Sequence, residues 1–294
     1  MSNPLITARD AFAARHPERR EIVNQRDWGV IDTQGDGPAL LLLPGTLGRA
    51  DIFWNQIAGL TDLRIVSVSY PGSGGIADWI QDLAVLLDRL EVPRTAVLGS
   101  SLGGYVAQAF AATHPDRTTH LFAANTLAST VGIAQNPPYS LDLWHEDIAV
   151  LRGGFAASMQ AWGQQHPEQA DLVAFLLAES ANRIPDAEMR ARLAALKEAP
   201  ALPADPRPAD QTTILEAGDD PLLPAPIRQG FRARRCFTSP PAAIFHISCG
   251  PPFIRASCGP GWVWAHCPTA GRTVSHEGSV QRRCGRVVAH GAGD

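Results

Sequence analysis

Cysteine is missing from the first 235 residues of this 294-residue chain. All five cysteines lie at or beyond Cys236, an odd number without a Cys-x-x-Cys pair, so neither a closed disulfide framework nor a usual zinc ribbon fits. Cys249, Cys258 and Cys267 are evenly spaced, with His266 and His276 nearby. The short loops that pre-arrange tetrahedral ligands are absent there, however, and neither a metal nor another cofactor is expected. An excess of one charge is also missing. A formal net charge of −4 gives no electrostatic footprint for nucleic acid or acidic lipid. No apolar run approaches the roughly 18 residues of a membrane span. The N-terminus has no basic start followed by an apolar core. The expectation is a soluble, cytoplasmic protein, not inserted in a membrane, whose partner is a small-molecule substrate or ligand; the oligomeric state is left open.

Leucine vanishes late in the chain. It is frequent up to Leu223 and absent from residues 224–294. Beyond Cys236 the sequence is rich in Cys, Gly, Pro, Trp and Arg, Glu277 and Asp294 are its acids, and it lacks a helical hydrophobic period. This break in composition suggests a change of reading frame after about residue 233. Residues 256–294 are expected to pack poorly for want of apolar periodicity.

The body of the chain alternates strand and helix signals. Residues 39–45 form a continuous apolar run closed by Pro44-Gly45, as expected of a parallel strand covered on both faces. Arg64 to Ser69 is β-branched and stops at Tyr70-Pro71-Gly72, and Ile80, Leu83, Leu87 and Leu90 then recur at helical spacing. Val106, Ala109 and Phe110 mark a further helix ending near His114-Pro115, and Leu121 to Asn125 reads as a strand. Such alternation implies a mostly parallel central sheet flanked by helices. From about Gln135 to Pro200 helical periodicity replaces the strand signals, as in Met189, Leu193 and Leu196 after an expected Asp186 cap. This reads as an inserted helical cap. Trp144, Phe155, Trp162 and Phe175 within it either line an apolar cavity or, as aromatics at helical spacing more often do, pack as ordinary core. A proline-rich linker, 200–208, returns the chain to strand character at 212–217. The expected division is 1–130 and 206–255 for the core, 131–205 for the cap, and 256–294 for an atypical tail.

Chemistry enters at residues 95–105, Thr-Ala-Val-Leu-Gly-Ser-Ser-Leu-Gly-Gly-Tyr. An apolar strand running into Gly-x-Ser-x-Gly and then a helix is the pattern of a nucleophile elbow. Gly99 and Gly103 would be needed because side chains there collide with neighbouring backbone, and Ser101 is the candidate nucleophile. Taken alone, the five residues also fit an incidental glycine-rich turn. The late strand at 212–217 runs into Gly218-Asp219-Asp220-Pro221, where the chain order Ser, acid, His would place the acid. Asp220 is the candidate and Asp219 the runner-up; a turn aspartate beside proline is the plainer alternative.

These residues resemble the α/β-hydrolase superfamily, and more narrowly its maspardin-like branch. The resemblance is carried by Leu-Pro-Gly-Thr-Leu-Gly-Arg-Ala-Asp-Ile-Phe-Trp-Asn-Gln-Ile (43–57), Val-Ser-Tyr-Pro (68–71) and Leu-Gly-Ser-Ser-Leu-Gly-Gly-Tyr-Val-Ala-Gln (98–108). It implies an α/β-hydrolase fold with backbone N–H groups of Thr46 and Leu102 as oxyanion donors, fixed before charge develops. It also implies a histidine after the last strand, commonly in a Gly-His pair. Here Pro251 follows Gly250 and His246 is the nearest substitute, placed within the expected strand. The expected function is a serine hydrolase of the Ser-His-Asp type acting on a small or medium acyl ester or related carbonyl substrate, impaired if that histidine is absent. The alternatives are a non-catalytic binding or adaptor protein on the same fold, and cofactor-free C–C bond or peroxide chemistry.

Overall fold

The computed structural model describes residues 2–217 and 236–239. Asp219, Asp220, His246, Pro251, the evenly spaced cysteines and the expected tail lie outside the described residues. Eight strands form one sheet: β1 (Arg19–Val23), β2 (Arg26–Asp32), β3 (Ala39–Leu43), β4 (Arg64–Ser69), β5 (Thr95–Ser100), β6 (Thr118–Ala124), β7 (Thr212–Ala217) and β8 (Cys236–Ser239). Their order is β1-β2-β4-β3-β5-β6-β7-β8. β1, β2 and β4 pair antiparallel, and every other pairing is parallel.

β3 reads as an unbroken apolar run, Ala-Leu-Leu-Leu-Leu, because both its faces are covered. Leu40, Leu42, Ile65, Ala96 and Leu98 face one side, packed with Phe12 of α1 (Pro4–Arg15) and Ile57 of α2 (Trp54–Gly59). Leu41, Leu43, Val66, Val68 and Val97 face the other, against α3 (Ile76–Arg89) and α4 (Leu102–Thr113). This alternation is the period of two expected of strand side chains. Ile80, Leu83 and Leu87, the helical stripe of the sequence, are all buried on α3.

The N-terminal α1, β1 and β2 were not anticipated from the sequence. β1 and β2 carry Arg19, Arg20, Glu21, Arg26 and Asp27, which thin out the apolar signal. Their turn, Asn24-Gln25, has φ of 47° and 67°, both positive as a type I′ hairpin turn requires, but without the glycine that usually advertises one. Polar groups join this hairpin to α3: Asp82, fully buried, accepts from Arg26 at 2.6 Å, Asn24 at 2.8 Å and the Trp28 indole at 3.0 Å.

Between β6 and β7 lie α5 (Ile148–Gln165), α6 (Ala170–Ala178), a π-helical turn (Glu179–Arg183) and α7 (Asp186–Lys197). α5 and α6 place Met159, Trp162, Leu172 and Phe175 in the cluster below the sheet, whereas Ala191, Ala195 and Leu196 of α7 join the opposite one. A small third cluster of Leu143, Leu151, Ile184, Met189 and Leu193 is the insertion's own. Trp162 and Phe175 are therefore core, and Phe155 packs partly buried on the third cluster. Trp144 is 51% exposed. Asp186 is the first helical residue of α7, not its cap; Pro185 takes that position, and the Asp186 carboxylate accepts from Arg152 at 2.7 Å.

Candidate active site

Ser101 stands between the end of β5 and the start of α4 at φ 52° and ψ −118°. A non-glycine residue in this region is strained, and such strain persists only where the surroundings over-determine it. They do so here. The Ser101 N–H donates to Ala124 O of β6 at 3.0 Å, its carbonyl accepts from Gly104 N at 2.9 Å, and Thr126 Oγ1 donates to the same carbonyl at 2.6 Å.

The glycines of the motif are forced by contact. A Cβ on Gly99 would collide with the Gly103 carbonyl, and one on Gly103 with the Leu43 carbonyl, both backbone atoms unable to yield. A Cβ on Gly104 would run into the Thr126 side chain. β5, α4 and the end of β3 are thus drawn together until only backbone fits between them. Leu102 and Gly103 open α4, where the first amides of a helix have no intrahelical acceptor and the dipole favours negative charge.

The other wall is the loop after β3. Gly45 lies against Ser101: a Cβ there would be 3.3 Å from Ser101 Cβ and 3.3 Å from Ser100 O. The loop's carbonyls are taken up in turn. Pro44 O accepts from the Tyr70 hydroxyl at 3.0 Å, and Gly45 O accepts from Gly48 N at 3.1 Å, closing a tight turn. Thr46 O and Gly48 O accept from Arg192 at 3.0 and 2.6 Å. Beyond the turn, buried Ser67 and Ser69 of β4 hold Ala50, one accepted by its carbonyl at 2.7 Å and the other accepting from its N–H at 2.8 Å. The Gly45-to-Gly48 hydrogen bond leaves the Thr46 N–H, a central group of the turn, unused by the turn itself.

Electrostatics around this wall follow from burial. Arg192 is fully buried, paired with Glu188 at 3.1 Å and stacked 5.5 Å over the Tyr70 ring. Desolvation pulls its guanidinium down to about 10, with Glu188 opposing the shift, so it is a cation at neutral pH. Burial pushes the Tyr70 phenol far up and Tyr139 up to about 12, although Thr46 hydrogen-bonded to Tyr139 works the other way. Both tyrosines are neutral, not bases, and Tyr70 serves as a structural donor.

Ser101, Thr46 and Leu102 are thus brought to one sheet edge, while Asp220 and His246 fall outside the described residues. Described histidines are engaged elsewhere: His120 with Thr213 at 2.9 Å, His114 against Phe110, His16 on Phe12, His145 with Asp142 and His166 with Glu168. Among the described residues no group of three or more His, Cys, Asp or Glu could hold a metal, and no helix is long and apolar enough to cross a membrane. Arg192 and Tyr139 escaped the sequence reading. Arg192 did leave a signal: it sits within the stripe Met189, Leu193, Leu196 of α7, where a charge is out of place unless paired.

Sheet order, elbow and interlocking glycines define an α/β-hydrolase. A sequence model of the alpha/beta hydrolase family matches residues 40–268, and the chain belongs to that family. Maspardin from Rattus norvegicus is 27% identical over 178 residues, 56% of this chain and 66% of the rat protein. Maspardin from Homo sapiens is 31% identical over 128 residues, 40% of this chain and 42% of the human protein. The matched stretch spans less than two thirds of these relatives. A solved hydrolase from Pseudomonas aeruginosa superposes with a TM-score of 0.65 at 21% identity, covering 79% of this chain and 93% of that one. The enol-lactonase from Burkholderia xenovorans LB400 gives 0.62 at 18%, covering 78% and 94%. At these identities the two structures share the fold.

Proposed function

We propose that the chain is a serine hydrolase acting on a small or medium acyl ester or related carbonyl substrate. The observation that carries this reading is Ser101 at φ 52° on the β5–α4 turn, a strained conformation that lifts a hydroxyl clear of the sheet edge. Ser101 Oγ attacks the acyl carbon as the hydroxyl proton passes to a histidine, for which His246 is the candidate, oriented by Asp220. The N–H groups of Leu102 and Thr46 receive the oxyanion, and collapse of the tetrahedral intermediate expels the leaving group, which takes the proton from the histidine. Water then repeats the sequence on the acyl-enzyme. The helices between β6 and β7 act as a cap over this edge.

The similarity to maspardin supports a second reading, a non-catalytic binding or adaptor protein that keeps the pocket. Labelling of the full chain with a fluorophosphonate separates the two, because the probe reports an activated serine whatever the substrate. The hydrolase reading expects labelling that Ser101→Ala abolishes, with a fall in aryl esterase kcat of at least about a thousandfold. An unlabelled, folded wild type, or equal labelling of Ser101→Ala, selects the binding protein.

A further inference from the structure

Arg192 belongs to the insertion, yet its hydrogen bonds end on the loop that faces Ser101. One terminal nitrogen donates to both Thr46 O and Gly48 O, and the other to Glu188 Oε2. The guanidinium is fully buried, so it has no solvent to fall back on. Its stacking partner Tyr70 donates to Pro44 O. Three carbonyls of the stretch 44–48 are therefore fixed by a single arginine–tyrosine stack. Glu188 is itself anchored by Arg49 of the same loop at 2.9 Å. α7 and the turn consequently form one polar unit across the boundary between insertion and sheet.

The rotation of a peptide group fixes where its N–H points, since carbonyl and amide are rigidly opposed across the planar bond. The Thr46 N–H shares its peptide plane with Gly45 O, which Gly48 N holds, and the peptide on either side is fixed in turn, at Pro44 O by Tyr70 and at Thr46 O by Arg192, so the Thr46 amide has little freedom to rotate. We infer that Arg192 is a positioning residue: it holds the turn 45–48 in the shape that presents the Thr46 N–H beside Ser101, making the insertion a required part of the oxyanion site. This rests on the serine-hydrolase reading for its catalytic consequence, though not for the tethering itself. A purely packing role would be satisfied by any side chain filling the space; a tether requires donors directed at the carbonyls.

The test compares Arg192→Met with Arg192→Lys in the full chain. Glu188 keeps Arg49 as its partner in both, so neither substitution strands a carboxylate. Two readouts are taken: hydrogen exchange of the peptide spanning 44–50, and the second-order rate of fluorophosphonate labelling together with kcat and KM on an aryl ester. Exchange in 44–50 is expected to rise at least fivefold in Arg192→Met while β4 and α3 keep wild-type protection. Labelling and kcat should fall about ten- to hundredfold, short of the 10²–10³ seen when an oxyanion donor is removed outright, with KM within twofold. Arg192→Lys, which restores one donor, should recover part of both. If Arg192→Met does not fold, Tyr70→Phe, which keeps the ring and frees only the Pro44 carbonyl, should show the same split at a few-fold size.

Unchanged exchange in 44–50 overturns the tether. Raised exchange with wild-type labelling overturns its catalytic role. Failure of the wild type to label at all, with raised exchange in Arg192→Met, overturns the hydrolase reading and the catalytic role but not the tether.

Discussion

The sheet and the insertion differ in what supplements their shared apolar packing. Within the sheet and its flanking helices, cohesion comes from Leu, Ile and Val on both faces and from glycine contacts with no room for a methyl. The insertion joins both apolar clusters through Met159, Trp162, Phe175 and Leu196 and adds to that packing a set of arginine hydrogen bonds. Arg192 ends on Thr46 and Gly48 carbonyls, Arg183 on Asp51 at 2.6 Å, and Glu188 accepts from Arg49. Buried Glu179 is shared by Arg9 of α1 and Arg183, and Arg152 caps the π-helical turn through the Ser180, Ala181 and Ile184 carbonyls. Apolar packing is non-directional and tolerates sliding, whereas a guanidinium fork fixes angle and register. An insertion that must meet a loop beside Ser101 in one orientation is better served by the second.

If this contrast is right, the largest effect belongs to Gly103→Ala. A Cβ there meets the Leu43 carbonyl, backbone that cannot move without parting β3 from α4, so a loss above about 4 kcal/mol is expected, seen as little or no folded protein. Glu179→Gln comes next. It leaves Arg9 and Arg183 without their shared carboxylate in a buried site, which should cost about 3 kcal/mol; urea unfolding monitored by tryptophan fluorescence would measure it. A cost no larger than that of an exposed pair would mean the arginines are ornamental and packing alone docks the insertion.

Two glycines of the insertion should behave in the opposite way. Gly153 and Gly154 lie exposed inside α5 with nothing within 4 Å of an added Cβ, and each change to alanine should stabilise by about 1 kcal/mol through helix propensity. Destabilisation by either would place an unseen contact on that face. The smallest effect is electrostatic. Burial would raise the Asp32 carboxyl, but Arg64 and the Gln34 amide outweigh it and hold it below its ordinary value. Asp32 therefore contributes stability that is complete above about pH 4, its unfolded value, and is lost as pH falls from there through the lower folded value. Asp32→Asn should flatten the acid limb of the stability curve without altering labelling of Ser101.

Legibility from sequence followed the same division. β3, β4 and β5 were readable because strands buried on both faces are rich in apolar and β-branched residues, and α3 because it has one clean stripe. Ser101 was readable because a tight strand-to-helix turn admits few residues at its corners. The β1–β2 hairpin was not, since its exposed side carries arginines and its turn has Asn-Gln where glycine would have signalled. Trp144 and Trp162 look alike in the sequence, yet one is 51% exposed and the other 5%. Nothing local distinguishes them, because burial depends on which helix happens to cover the sheet.

By itself, then, the sequence determined the alternation of strand and helix, the elbow and the glycines that permit it. These depend on local backbone sterics and on the two hydrophobic periods, which neighbouring residues specify completely. Only the tertiary structure decided that Arg192, 146 positions from Thr46 along the chain, would hold the loop opposite Ser101. A buried carbonyl accepts any well-placed donor, and which donor arrives is settled by how α7 docks on the sheet, an outcome no short stretch of sequence encodes.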